Sequence, residues 1–121
     1  MSRVLTVLNV RFDGDVAILS NFGGLLNDPR HFDASRDVRG ILDQGYRKFV
    51  FELAGIREMG PTAFGLLMTL TRLIRQYKGE TVLVRLSRDT KRSIEEMQLE
   101  DFWDMFDHVE EATESYRQEP E

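Results

Sequence analysis

Apolar and polar positions change period several times along this chain, and each change marks an element. Val4 to Phe12 alternates loosely, as a half-buried strand does. Asp13-Gly14-Asp15 is a turn signal and Val16-Ala17-Ile18-Leu19-Ser20 a second short strand, so an opening hairpin is expected. Asn21-Phe22-Gly23-Gly24 breaks regular structure. Asp28-Pro29 marks a helix start with proline in the first turn. Phe32, Val38, Ile41 and Leu42 then give that helix one apolar side, and Gly45 closes it.

Lys48 to Leu53 is a nearly continuous apolar run, the mark of a strand covered on both faces. Gly60 precedes a proline and is disfavoured in a helix, while Pro61 suits a first helical position that needs no N–H. Leu66, Leu70, Leu73, Ile74 and Tyr77 form one stripe at helical spacing. Arg72, Arg75, Gln76 and Lys78 suit the negative end of that helix, and Gly79 reads as its stop. Thr81 to Leu86 is a further strand. Ser87 or Asp89 can cap a helix running through Glu96. Leu99, Phe102, Trp103, Met105 and Phe106 read as core contacts near a sheet edge, and Val109 to Tyr116 as a short last helix. Strands alternating with helices after a hairpin predict an α/β domain: a mixed, mostly parallel sheet of 4-5 strands with helices packed against it. Residues 1–116 are expected to form a single domain and 117–121 a polar tail.

Composition narrows the function classes. The 121 residues suffice for one core, and 41% are hydrophobic. No apolar run reaches the roughly 18 residues that a membrane-spanning helix needs. The opening Met1-Ser2-Arg3-Val4-Leu5-Thr6 lacks a signal-peptide pattern, and the chain has no cysteine, so a cytoplasmic protein without disulfides is the expectation. A net charge of −5 argues against general nucleic-acid binding. Arg85, Arg88, Lys91 and Arg92 are a local exception, read as the solvated start of a helix.

Candidate chemistry is sparse. Gly23-Gly24 lacks the lysine and further glycines of a nucleotide loop. His31 and His108 are in no metal-ligand spacing, and no nucleophile-elbow pattern supports a Ser/His/Asp set. The pairs Glu95-Glu96, Glu100-Asp101 and Glu110-Glu111 read as solvated helix faces. No catalytic residue, metal or cofactor is therefore expected. The informative segment is Phe49 to Leu67: a buried strand, a loop, and a helix with a hydroxyl, Thr62, in its first turn. The first amides of a helix lack partners and the dipole is positive there, so added negative charge on Thr62 would be accommodated.

These residues resemble the STAS domain, the fold of bacterial anti-sigma factor antagonists and of the sulfate-transporter cytoplasmic domain. The likeness lies in the strand Phe49 to Leu53, the Ala54-Gly55-Ile56 turn, the loop Met59-Gly60-Pro61-Thr62-Ala63-Phe64-Gly65 and its helix. It continues through Gly79 to Val84, Arg92 to Leu99, and Phe106 to Ala112. It is close over residues 47 to 116 and holds only in outline over 4 to 45. The family pattern at the loop is Asp-Ser-Ser/Thr-Gly-Leu-Gly. Thr62 falls on the hydroxyl that a partner kinase phosphorylates, while Gly60, Pro61 and Ala63 depart from the pattern. The stretch Asn21 to Phe32 is longer than the family's usual connection.

The resemblance implies a non-enzymatic regulatory domain that binds an anti-sigma factor with a kinase-type fold, phosphorylation of Thr62 ending the hold. ATP would belong to that partner. Met59, Gly60, Pro61, Thr62, Ala63 and Phe64 are the candidate partner-binding residues, with Phe64 favoured as core and Met59 read equally as core or as contact. The alternative for Thr62 is a hydroxyl that bonds a free backbone N–H. The alternative for the chain is a scaffold or assembly module without phosphorylation, which the departures at Gly60, Pro61 and Ala63 favour; a small enzyme comes last.

Overall fold

The computed structural model describes residues 2–5, 7–26, 29–30 and 33–118. Six strands pair in sequence order: β1 (Ser2–Val4), β2 (Asn9–Asp13), β3 (Val16–Ser20), β4 (Lys48–Glu52), β5 (Glu80–Val84) and β6 (Met105–Phe106). β1, β2 and β3 are antiparallel neighbours, and β3 through β6 run parallel. The helices are α1 (Phe22–Leu26), α2 (Ala34–Asp43), α3 (Pro61–Gln76), α4 (Arg88–Glu96) and α5 (Val109–Arg117).

The α/β class and the opening hairpin agree with the sequence pattern, but the sheet has six strands where four or five were expected. Val4 to Phe12 is not one strand. The chain reverses between β1 and β2, where the Leu5 N–H donates to the Leu8 carbonyl at 2.8 Å and Leu8 is buried. Asn21 to Gly24 does not simply break structure either. Asn21 takes a left-handed backbone (φ 72°), which asparagine tolerates, and its amide donates to the Val7 carbonyl at 3.1 Å. Phe22 and Leu25, three positions apart, then bury one face of α1.

The expected helix start at Asp28-Pro29 is displaced. Asp28 and Phe32, like His31, lie outside the described residues; Pro29 and Arg30 form a turn, and α2 begins at Ala34.

Period-two alternation divides the interior. Ala17, Leu19, Phe49, Phe51 and Leu83 face α2, α3 and α4, meeting Val38, Ile41, Leu67, Leu70 and Ile94. Val16, Ile18, Val50, Val82 and Val84 face α5, meeting Val109, Ala112 and Tyr116. Strands in consecutive order joined by crossovers of one hand place the connecting helices on one face. α5 follows the last strand, so it is free to cover the other. Tyr116 fastens it there, its hydroxyl donating to the Phe49 carbonyl at 2.9 Å. Arg117, the last residue of α5, pairs with Asp13 at 2.9 Å across the hairpin. The proposed tail beyond it falls mainly on 119–121, outside the described residues.

Trp103 is buried, and its indole N–H donates to the Thr71 hydroxyl (2.9 Å), which donates to the Leu67 carbonyl (2.7 Å). This chain of bonds satisfies two polar groups inside the core. Phe106, from the same aromatic-rich stretch, packs instead on the α5 side.

The end of α3 differs in detail from the expected glycine stop. Lys78 takes the left-handed position (φ 64°), and the Gly79 N–H returns to the Ile74 carbonyl at 2.9 Å. Gly79 matters through space: a Cβ there would lie 2.6 Å from the Arg47 carbonyl and 2.9 Å from Ile74 Cγ2. Gly79→Ala is expected to cost about 1–3 kcal/mol by overpacking against backbone, read as a lower urea midpoint. Thr81 offers the opposite case. It is buried beside Phe49, and its hydroxyl finds no partner among the described residues. Thr81→Val removes that stranded group at constant shape and is expected to raise stability by about 1 kcal/mol in the same measurement.

Candidate functional site

The loop from β4 to α3 lies at the carboxyl end of the parallel strands, where the connections after β3, β5 and β6 also emerge. Ligands and partners of open parallel sheets are commonly taken at that end. The Leu53 N–H still donates to the Val84 carbonyl (3.0 Å), extending the ladder one residue beyond β4. Leu53 to Ile56 closes a turn, with Gly55 at φ 87° in its third place, a conformation that strains residues bearing a Cβ.

Two apolar side chains peg the loop to the core: Ile56 and Met59, 9% and 7% exposed. Between them the Arg57 carbonyl accepts a bond from the Ser87 hydroxyl at 2.6 Å. Ser87 Oγ in turn accepts the Thr90 N–H at 3.1 Å and so caps α4. One hydroxyl thus ties two crossover connections together. Ser87 was legible as a cap from sequence, but its second bond, to a residue thirty positions earlier, was not.

Gly60 is the N-cap of α3, extended at φ −84° and ψ 179°, and Pro61 occupies the first helical position. The Gly60 carbonyl receives the Phe64 N–H at 3.1 Å. A glycine N-cap brings no side-chain acceptor to the amides of Thr62 and Ala63, which an acidic or hydroxyl cap would. Thr62 lies exposed on the first turn, and among the described residues its hydroxyl has no hydrogen-bond partner. Gly60 and Pro61 are exposed beside it. Met59, Ala63 and Phe64 point inward, at 7%, 7% and 2% exposure. Of the six residues expected to meet a partner, the outer surface is therefore made by Gly60, Pro61 and Thr62.

Two clefts flank this loop. One, of about 480 Å³, lies between α1 and the start of α3, bounded by Gly23, Leu26, Ile56, Pro61 and Thr62. The segment read from sequence as a break is thus brought against Thr62. The other, of about 420 Å³, lies toward α4 and α5, bounded by Arg57, Arg85, Ser87, Asp107 and His108. Arg57 borders both. No pattern in the sequence marks Arg57 or the clefts, since each is assembled from separate connections.

The remaining candidates take plain places. Glu95, Glu96, Glu100, Asp101, Glu110 and Glu111 are exposed, Glu111 accepting the His108 backbone N–H at 3.0 Å. Among the described residues no group of three or more His, Asp or Glu side chains could hold a metal ion, and no helix is long and apolar enough to cross a membrane.

Comparison with known proteins bears on this geometry. The fold is similar to that of a candidate anti-sigma factor antagonist from Thermotoga maritima, with a TM-score of 0.75 and 20% identity over 90% of this chain and 93% of that one. An anti-sigma-factor antagonist (STAS) domain protein from Planctomyces limnophilus aligns with a TM-score of 0.74 and 12% identity, covering 92% and 98%. The Bacillus cell fate determinant SpoIIAA in its phosphorylated form gives 0.62 and 13%, covering 93% and 100%. At these identities the likeness is one of fold. No curated protein sequence matches the chain significantly. The family model for the STAS domain matches residues 9–112, and the chain belongs to the STAS domain family.

Proposed function

We propose that this chain is a regulatory, protein-binding domain of the anti-sigma factor antagonist kind, acting in the cytoplasm and switched by phosphorylation of Thr62. Its partner on this reading is an anti-sigma factor with a kinase-type fold, which brings the ATP. The observation that carries the proposal is the position of Thr62: exposed, on the first turn of a sixteen-residue helix whose glycine cap leaves the first amides without a side-chain acceptor. A phosphate adds about −1.5 to −2 charge at neutral pH. The helix start tolerates that charge. A partner surface packed against Gly60, Pro61 and Thr62 would not, because it would have to desolvate the phosphate. Similarity of fold to a protein recorded in phosphorylated form supports the same reading.

A scaffold module without phosphorylation is the second reading. Pro61 favours it, because a proline at the first helical position removes one amide that could hold the phosphate.

The deciding measurement is incubation with the cognate kinase-type anti-sigma factor and ATP, followed by intact mass. Wild type is expected to gain the mass of one phosphate and Thr62→Ala none. A wild-type chain that gains nothing removes the switch and leaves partner binding as a separate question. Affinity makes the second test. Thr62→Glu is expected to bind the unphosphorylated anti-sigma factor at least about tenfold more weakly, a loss near 1.4 kcal/mol. Unchanged affinity in that variant supports the scaffold reading.

A further inference from the structure

We propose that the cleft between the β4–α3 loop and the starts of α4 and α5 receives an acidic segment of the partner protein. The chain is acidic overall, at −5, yet four exposed arginines without an ion pair among the described residues gather here, beside the loop that presents Thr62. Arg57 and Arg85 border the cleft of about 420 Å³. Arg88 opens α4 directly after Ser87 of the cleft wall, and Arg92 follows one turn later on the same helix face. Arg85, Arg88, Lys91 and Arg92 are read from sequence as the solvated start of a helix; the structure adds Arg57 from a different connection.

Arg11, Arg36, Arg39 and Arg72 also enter no ion pair among the described residues, and Arg39 and Arg72 border a cleft between α2 and α3; what points to a partner is that the arginines here lie beside the Thr62 loop. Lys48, Arg75, Lys91 and Arg117 each pair with a carboxylate: Asp15, Glu80, Asp107 and Asp13. Among the described residues Arg57, Arg85, Arg88 and Arg92 enter no ion pair, although all four are exposed. Asp107, the acid on the cleft wall, is already engaged by Lys91 at 3.2 Å. Asp89 on the first turn of α4 and Glu58 beside Arg57 are the nearest acids in sequence, and neither makes an ion pair with these arginines. Arg85 also holds a left-handed backbone, φ 59°, which costs a residue with a Cβ energy that glycine would avoid. A cluster of like charges around a concavity raises the local potential and attracts the opposite charge. Arginine forks match carboxylates in paired geometry.

The cleft adjoins the one beside Thr62, with Gly55, Ile56 and Arg57 lining both. A partner docked over Thr62 can therefore reach it. The partner's identity rests on the function proposed above; the affinity of the cleft for carboxylates does not.

The test follows backbone amide shifts of the whole chain by NMR while a polyglutamate peptide is titrated in at low ionic strength. Saturable shifts are expected at residues 55–57, 85–88 and 107–108. Arg85→Gln combined with Arg88→Gln is expected to weaken binding about tenfold. Arg36→Gln combined with Arg39→Gln makes the same charge change on exposed positions of α2 and is expected to leave binding within about twofold. Thr62→Ala is expected to bind the peptide as wild type does, so a failed switch and a failed cleft give different results. Three outcomes overturn the proposal: no saturable shifts, equal weakening by the two double variants, or tighter binding at these amides by inorganic phosphate or a DNA duplex. Shifts at the same amides on concentrating the chain alone assign the face to self-association and also overturn it.

Discussion

Burial of β4 on both faces is the constraint on which the rest of the molecule depends. Phe49 and Phe51 enter the interior shared with α2 and α3, while Val50 enters the one shared with α5. A strand in that position must be apolar along nearly its whole length and must pair on both edges, as it does with β3 and β5. Its exit point is then set, and so is the start of the connection that carries Thr62. Tyr116 donating to the Phe49 carbonyl closes the second layer onto the same strand.

The connection itself is held at alternate points. Ile56 and Met59 enter the core, the Arg57 carbonyl is bound by Ser87, and the backbone between them faces outward. Helix geometry completes the division. With about 3.6 residues per turn, the inward stripe of α3 takes Ala63, Phe64, Leu67, Leu70, Thr71 and Ile74. Thr62 then falls on the outer side of the first turn. A rigid frame beneath a solvent-facing hydroxyl suits a regulatory surface, because charge added there changes what can dock without disturbing the core.

Electrostatics separates the surface into two kinds of place. Around the hairpin and the end of α3, cations and carboxylates meet in exposed pairs, which contribute little to stability individually. Around the carboxyl end of β4 and β5, Arg57, Arg85, Arg88 and Arg92 enter no ion pair among the described residues, beside the same loop that presents Thr62. The fold thus puts uncompensated positive charge beside the exposed Thr62 hydroxyl.

Much of the architecture was legible in the residues. The apolar run 48–53, the Gly60-Pro61 helix start and the stripe along 66–77 each obey a local rule of period or backbone geometry, and each element is where those rules put it. Ser87 as a cap follows from the same local chemistry. The reversal inside 4–12 and the helix at 22–26 escaped notice because both depend on distant partners: Leu8 buried in the core, and Asn21 bonded to the Val7 carbonyl. The exposure of Thr62, the burial of Met59, the tie from Ser87 to Arg57 and the two clefts were likewise decided only by the tertiary structure. Periodicity is a property of neighbours along the chain, whereas a cleft or a bond across thirty residues exists only once separate connections have been brought to one end of the sheet.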